Sequence, residues 1–332
     1  MDNLKAVDYS YKINSKKLNR DELLLYFENT PKDTLVAMEA CSGSNYWGQE
    51  FKKLGLDVKL LKTIDVKAYA KSKQKNDTND ALAIAKAARD PELKQVEIRQ
   101  KETQEIAFLH KTRQNIIQKR IMISNSLIGS LHEFGYDAVV SKAQFAKVAS
   151  EKIQDAHEKG HISLNILEIM QKDIDDINEL FMREKDIETK IKEQNKVNKK
   201  AKRLQTIPGI GPINASFLQT LPIETYKSPR DFAASLGLVP NQYTTGGHIQ
   251  LGSISKKGSK YGRTMLIQGA RSLVIRARCL MKQEKESDCK LIKWGTKLLS
   301  SGKSFNKTCI ALANKLARII YCIIVRNETY NP

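Results

Sequence analysis

Three acidic side chains near the start of the chain have the types and positions expected of a metal site. Glu39 follows the apolar run 35–38, and Asp77 and Asp80 lie three residues apart where the predicted helix 79–89 begins. Residues at i and i+3 of a helix share a face. Carboxylate oxygens are usual ligands of Mg²⁺, and two such ions can clamp a phosphodiester. A purely structural interpretation stays open, with Asp77 as an N-cap, Asp80 as a first-turn acid and Glu39 solvated.

A second group of polar side chains occupies residues 243–248 and 253–258. These segments read YTTGGH and SISKKG, so hydroxyl groups lie in a glycine-rich loop beside Lys256 and Lys257. Positive charge stabilises an alkoxide and neutralises a phosphate, so a hydroxyl group here could attack phosphorus. Ser253 and Ser255 are rival nucleophiles, and His248 is expected at the surface. An ordinary polar turn with solvent-facing lysines explains the same pattern.

The segment 206–212, TIPGIGP, predicts a tight turn between two helices. Backbone N–H groups around Gly209 and Gly211 could hold a phosphate without reading base sequence. A helix–helix turn without any ligand is an equally good interpretation of these two glycines.

The net charge favours a polyanionic partner. The 332 residues carry 56 Lys or Arg against 37 Asp or Glu, a net +19. Residues 241–332 alone carry 17 against 4, a net +13. This segment is the predicted footprint of nucleic acid. Besides the two glycines of the turn, the residues predicted to contact nucleic acid are Lys256, Lys257, Lys260, Arg263 and Arg271.

Composition excludes several other classes of protein. The longest apolar run, 319–325, is far shorter than the roughly 18 residues of a transmembrane helix. The N-terminus shows no apolar signal stretch, so a cytoplasmic location is expected. The five cysteines contain no CxxC pair, which argues against a disulfide framework and a zinc site.

The elements that must position these residues form three predicted domains. In residues 1–99, strands alternate with helices, which indicates an α/β sheet. The predicted strands are 34–38, 57–61 and 95–98, and the predicted helices are 18–28, 45–54 and 79–89. Residues 100–203 show near-heptad apolar spacing, which predicts an antiparallel helical hairpin or coiled-coil stalk with its turn between 135 and 162. Residues 204–332 are predicted to be mainly helical around a glycine-rich loop, 240–258, with helices over 214–221, 231–236, 263–278 and 303–325.

Two sets of motifs, taken in this order, resemble a known family. The first set is MEAC at 38–41, YW at 46–47 and KNDTNDA at 75–81. The second is IPGIGP at 207–212, LGLVP at 236–240, GG at 246–247, LGSISKKG at 251–258 and QGAR at 268–271. The chain resembles, over nearly its whole length, the DEDD insertion-sequence transposases of the IS110 family, IS1111 branch, which are related to the Piv DNA invertase.

The resemblance implies a fold and a mechanism. The fold would be an RNase H-like (RuvC-like) α/β domain, a helical coiled-coil insertion and a mostly helical C-terminal transposase domain. The activity would be Mg²⁺-dependent recombination of double-stranded DNA, guided by a structured non-coding bridge RNA, in a homo-oligomer that is a dimer or tetramer. Glu39, Asp77 and Asp80 fall on three of the four acidic metal ligands. Thr245 falls on the serine nucleophile that joins covalently to DNA.

Two departures from the family pattern bear on activity. The leading aspartate of the family would fall before Met1; Asp2 is the nearest acid, and Asp8 aligns with a later, non-catalytic position. Thr245 replaces serine, and its methyl group restricts χ1 and crowds in-line attack. We therefore expect low or no recombination activity. Three functions stay open: an RNA-guided transposase, a catalytically defective truncated copy that only binds nucleic acid, and a junction-resolving nuclease that uses the acidic site alone.

Overall fold

The computed structural model describes Lys16 and residues 18–70 and 76–331. The chain forms two compact units, Met1–Gln100 and Lys101–Pro332. The first unit is α/β, and the second is mostly helical with one β-hairpin.

The N-terminal unit alternates helices with the strands of a small sheet. Its elements are α1 (Arg20–Glu28), β1 (Leu35–Glu39), α2 (Ser44–Lys53), β2 (Asp57–Leu61), a short helix (Thr63–Val66) that continues as a 3₁₀ turn (Lys67–Tyr69), and α3 (Asp77–Arg89). A capping box of Asn19 and Glu22 starts α1. Asn76 caps α3 by accepting a hydrogen bond from the backbone N–H of Asn79.

Strands β1 and β2 pair in parallel, from Leu35 opposite Asp57 to Glu39 opposite Leu61. Alternate side chains point to opposite faces of a strand, so the sheet has two apolar faces. One face packs against α2 and the other against α3, in separate hydrophobic clusters. The strand predicted over 95–98 is wrong, because only an isolated antiparallel bridge joins residue 96 to residue 60.

Three helices open the second unit: α4 (Lys101–Glu133), α5 (Phe145–Glu158) and α6 (Leu164–Val197). Helices α4 and α6 run antiparallel, since Arg113 pairs with Glu188 while Leu127 and Ile177 share a hydrophobic cluster further along. The connection between the long helices, predicted only as a turn, contains α5. This helix packs into the same cluster through its own apolar face, which includes Ile153.

The rest of the second unit packs around its last helix. Its elements are α7 (Lys199–Leu204), α8 (Pro212–Leu218), a 3₁₀ turn (Ile223–Thr225), α9 (Pro229–Ser235), β3 (Pro240–Thr245), β4 (His248–Ile254), α10 (Lys260–Lys282), α11 (Lys290–Ser300) and α12 (Phe305–Arg326). Among the described residues, α12 is the one helix long and apolar enough to cross a membrane by length and composition. Half of that stretch is buried, and Leu312, Leu316 and Ile320 lie inside the hydrophobic core. This burial is typical of a helix in the core of a folded unit.

Two predictions for this unit need correction. The glycine-rich loop predicted over 240–258 is an antiparallel hairpin, β3–β4, followed by a short loop. Residues that favour strands flank a Gly-Gly turn, and pairing of the two segments gives their backbone N–H and C=O groups hydrogen-bond partners. Helix α11 was missing from the prediction, although Leu291, Gly295 and Leu298 recur at helical spacing on its more buried face.

Candidate functional site

Strand β1 places Glu39 at the carboxyl edge of the parallel sheet. The Glu39 side chain is half-buried, and the residue pairs with Leu61 of the neighbouring strand. Ligands of open α/β sheets bind outside the carboxyl ends of the strands. Glu39 therefore occupies a position suited to a ligand-binding acid.

Asp77 and Asp80 lie in the first turn of α3, where both side chains are exposed. The interpretation of Asp77 as an N-cap is wrong, since Asn76 is the N-cap and Asp77 is the first helical residue. The positive end of the helix dipole stabilises carboxylates at this end of a helix. Both acids therefore present carboxylate oxygens to solvent from one helical turn.

The three acids do not form a single preassembled cluster. Within the described part of the chain, no group of three or more His, Cys, Asp or Glu side chains is placed to hold a metal ion. Asp77 and Asp80 still fit a cation of the Mg²⁺ type, because that ion is commonly held by one or two carboxylates together with substrate phosphates. Asp2 and Asp8, the other acids considered above, lie outside the described residues.

Thr245 ends β3 at the tip of the hairpin, and its side chain is exposed. It pairs with His248 across a two-residue turn in which Gly246 and Gly247 have φ of 57° and 79°. Positive φ at both central residues is the signature of a type I′ turn, whose twist matches that of antiparallel strands. The Gly-Gly pair therefore places Thr245 beside the turn, at the point of the hairpin furthest from the core.

The hairpin distinguishes Thr245 from the rival hydroxyl groups. The Thr244 hydroxyl accepts a hydrogen bond of 3.0 Å from Nε2 of Gln242. The Thr245 hydroxyl has no hydrogen bond to any described residue. Ser253 lies towards the base of the hairpin, and Ser255 is half-buried in the loop that follows it. Thr245 is thus the hydroxyl most open to a substrate at the tip.

Tight packing holds the loop after the hairpin. Gly258 has φ of 79°, and a Cβ atom there would overlap the carbonyl oxygen of Ser235. Nη1 of the buried Arg263 donates to the carbonyl oxygens of Leu236, at 3.0 Å, and Lys257, at 3.4 Å. The sequence predicts that Arg263 contacts nucleic acid, whereas in the structure its guanidinium group ties the loop to the end of α9. These contacts anchor the base of the hairpin.

The other basic residues predicted to contact nucleic acid face solvent. Lys256, Lys257, Lys260 and Arg271 are all exposed. The Arg271 guanidinium carbon lies 5.6 Å from the centre of the Phe305 ring. These four cations remain accessible to an anionic ligand.

The glycines of the turn before α8 have different surroundings. Gly209 has φ of 84°, and a Cβ atom there would lie 2.8 Å from the carbonyl oxygen of Gly269 in α10. The backbone of the turn therefore contacts that helix directly, and this packing explains Gly209 without a bound phosphate. Gly211 is exposed, and a Cβ atom there would meet open space.

A buried polar network, absent from the sequence prediction, joins α4 to the C-terminal helices. His110 is only 3% exposed; its Nδ1 lies 3.1 Å from the Tyr261 hydroxyl and its Nε2 lies 3.0 Å from Oγ of Ser216. Burial, and then the charge of Arg113, lower the pKa of His110 from 6.5 to about 4, so the ring is neutral at pH 7. Tyr261 lies in the first turn of α10, just after the loop that contains Lys256 and Lys257. The network therefore links α4 to the segment that holds the β3–β4 hairpin. The sequence signal for a buried His110 is its position four residues after Ile106, because residues at this spacing share one face of a helix and Ile106 is buried.

The family models and the known proteins that are similar to this chain are described as transposases. A DEDD transposase family model of the IS110 type matches residues 2–135, and the model described as "Transposase IS116/IS110/IS902 family" matches residues 201–286. A Pseudomonas aeruginosa protein named "Probable family 20 transposase" is 34% identical over 319 residues, which are 96% of this chain and 91% of that protein. The transposase for insertion sequence element IS1111A of Coxiella burnetii is 33% identical over 89% of this chain and 79% of its own length. The transposase for IS1328 of Yersinia enterocolitica is 33% identical over 95% and 91% respectively.

Proposed function

Because this chain belongs to the IS116/IS110/IS902 family of transposases, we propose that it cuts and rejoins DNA strands of an insertion sequence through a covalent bond to Thr245. The family is the one that the residue motifs predict. It implies an insertion-sequence transposase that binds DNA and has an RNase H-like fold in the N-terminal unit. The observation that carries the covalent step is the exposed Thr245 hydroxyl, which has no hydrogen bond to any described residue.

In the proposed cleavage step, Oγ1 of Thr245 attacks a DNA phosphorus atom. A bond forms between that oxygen and phosphorus, and the bond between phosphorus and one of its two sugar oxygens breaks. The threonine proton is lost to solvent, and the released sugar oxygen takes up a proton to become a hydroxyl group. Attack by a sugar hydroxyl on the threonine–phosphate bond then rejoins a strand and restores Thr245. Lys256 and Lys257, exposed in the loop beyond the base of the hairpin rather than at its tip, would neutralise phosphates of the same DNA away from the attacked one.

The acidic residues have a proposed role in the same reaction. Asp77 and Asp80 would hold a divalent cation, Mg²⁺, and Glu39 at the sheet edge is the proposed third ligand, although the three side chains do not form a ready-made group among the described residues. When bound, such an ion neutralises the charge that develops on the phosphate oxygens. Dependence on a divalent metal is typical of DEDD transposases. Charge-neutral replacement of Asp77 or Asp80 is therefore expected to weaken cleavage more than DNA binding.

The proposal also includes an RNA guide and an oligomer. A structured non-coding RNA would supply target choice, and a dimer or tetramer would bring two duplexes together. The net charge of +13 in residues 241–332 supports binding to two polyanions. On duplex DNA, each phosphate that the protein neutralises should add about 0.9 to the slope of log K against log salt concentration. A flat salt response would contradict this role of the C-terminal segment.

A covalent adduct assay tests the proposed nucleophile. Labelled element-end DNA is incubated with the protein, the RNA from the non-coding end of the element and Mg²⁺, and products are separated under denaturing conditions. We expect a protein–DNA adduct that Thr245→Ala abolishes and Thr245→Ser restores. Thr244→Ala is the matched control, since that hydroxyl already accepts a hydrogen bond from Gln242, and it should retain the adduct.

Two other functions give different products in this assay. A copy that only binds nucleic acid would give no adduct with any variant while still shifting labelled DNA; the lack of a three-acid cluster among the described residues favours this second candidate. A junction-resolving nuclease would cut DNA without an adduct, and Thr245→Ala would not change its rate. Either outcome would refute the covalent role of Thr245.

A further inference from the structure

A wide cleft of about 1390 Å³ opens in the C-terminal unit at the base of the β3–β4 hairpin. Pro240, Ser253 and Ile254 of the hairpin form one wall, and α10, α11 and α12 contribute most of the remainder. At about 3.4 Å per residue, the length of β3 puts Thr245 roughly 17 Å from this wall. The cleft therefore lies at the opposite end of the hairpin from the proposed nucleophile.

The cleft surface is apolar and contains one aromatic ring. Ile267 of α10, and Ile310 and Ile319 of α12, line it together with Trp294 of α11. The ammonium group of Lys315 lies 4.4 Å from the centre of the Trp294 ring. Aromatic rings on apolar surfaces are the usual platforms on which unstacked bases rest.

Positive charge surrounds this apolar surface. Lys256, Lys307, Lys315 and Arg318 line the cleft, whereas Glu328 is its one acidic lining residue. None of these four cations forms an ion pair with any described residue. Burial and the neighbouring charge of Arg318 lower the pKa of Lys315. An anion entering the cleft would relieve this repulsion.

We propose that the cleft binds unstacked nucleotides of a single strand, with a base against Trp294 and phosphates beside Arg318 and Lys307. The inference rests on the proposed function, because exchange of DNA strands must separate base-paired strands on the unit that carries Thr245. A base and its phosphate match an apolar surface with a cationic border. An apolar protein helix would bury the unpaired cations at a large desolvation cost. The strand can be DNA or RNA, since both offer the same base faces and phosphates.

Tryptophan fluorescence tests this assignment on the full chain. The chain has two tryptophans, Trp47 and Trp294, so Trp47→Phe leaves Trp294 as the single reporter. Titration with oligothymidylate should quench Trp294 emission, whereas an abasic strand of equal length should bind more weakly and leave emission nearly unchanged. Oligouridylate in parallel separates an RNA site from a DNA site. Base stacking contributes about 1–3 kcal/mol, so Trp294→Ala should weaken oligothymidylate binding about 5- to 150-fold, as measured by anisotropy of a labelled strand.

Two other variants test strand binding in the cleft if Trp294→Ala fails to fold. Arg318→Ala and Lys315→Gln should each weaken oligothymidylate binding several-fold in the Trp47→Phe protein. Arg276→Ala, which removes an exposed cation of α10 that does not line the cleft, should change it little.

Two results would overturn the assignment. One is unchanged Trp294 emission while the strand binds, and the other is equal quenching by the abasic strand. Retention of the Thr245 adduct in either case would leave the proposed function intact. Loss of the adduct with normal quenching would contradict only the covalent chemistry.

Discussion

Acidification should weaken the second unit through His110, and the structure gives the size of the effect. The pKa of His110 is about 4 in the folded protein, because burial disfavours the charged ring, and about 6.5 when the chain is unfolded. Between these values the unfolded chain binds more protons, so stability falls as the pH falls. The full difference corresponds to about 3 kcal/mol, of which about 2 kcal/mol should be lost between pH 7 and about pH 5. Above pH 6.5 the His110 contribution is fully present.

Urea unfolding at a series of pH values measures this loss. Carboxylates also titrate in acid, so the informative quantity is the difference between the unaltered protein and His110→Gln. The variant should be less stable at pH 7, because an amide fits the hydrogen bonds to Ser216 and Tyr261 less well than the ring. It should nevertheless lose about 2 kcal/mol less on acidification to about pH 5. Equal losses in the unaltered protein and His110→Gln would refute the reasoning.

Three further predictions concern the contacts that hold the second unit. Gly258→Ala should lower the free energy of unfolding by more than about 3 kcal/mol, because the added Cβ atom would overlap the carbonyl oxygen of Ser235. Gly302 has a similar φ but open space around it, so Gly302→Ala should lower the free energy of unfolding by only about 1 kcal/mol. Arg263→Ala should lower the melting temperature by several degrees through two lost charged hydrogen bonds, and Arg276→Ala should not; equal effects would exclude the anchoring role. Glu184→Gln should destabilise the helices by about 3 kcal/mol in chemical denaturation, because three cations surround this buried carboxylate. A change below about 1 kcal/mol would show that the cations are adequately solvated.

Local sequence was sufficient for elements whose signals are complete within one segment. Strand β2 lies over 57–61, as predicted, and the helix predicted over 79–89 begins two residues earlier, at Asp77. The strand predicted over 95–98 was wrong because a strand requires a neighbour with matching register, and only residue 60 pairs there. The β3–β4 hairpin was missed for the converse reason: its glycines indicate a loop until the two flanking segments pair.

Some features of the candidate site were predicted from the sequence, and others depend on the folded structure. The residue motifs alone indicated Glu39, Asp77, Asp80 and Thr245, because metal ligation and nucleophilic attack depend on side-chain type. They could not show that the three acids lack a common cluster among the described residues. They also could not show that the Thr245 hydroxyl has no hydrogen-bond partner there, since partners are set by the folded backbone.

The sequence by itself determined the charge, the order of the motifs and the family, since these follow from residue identity. Only the tertiary structure decided which similar residues differ in role. Arg263 is buried against backbone carbonyl groups while Lys256 is exposed. His110 is neutral because it is buried, and its partners Ser216 and Tyr261 lie 106 and 151 residues away in the chain. Burial and hydrogen-bond partners come from segments distant in sequence, so no local pattern encodes them.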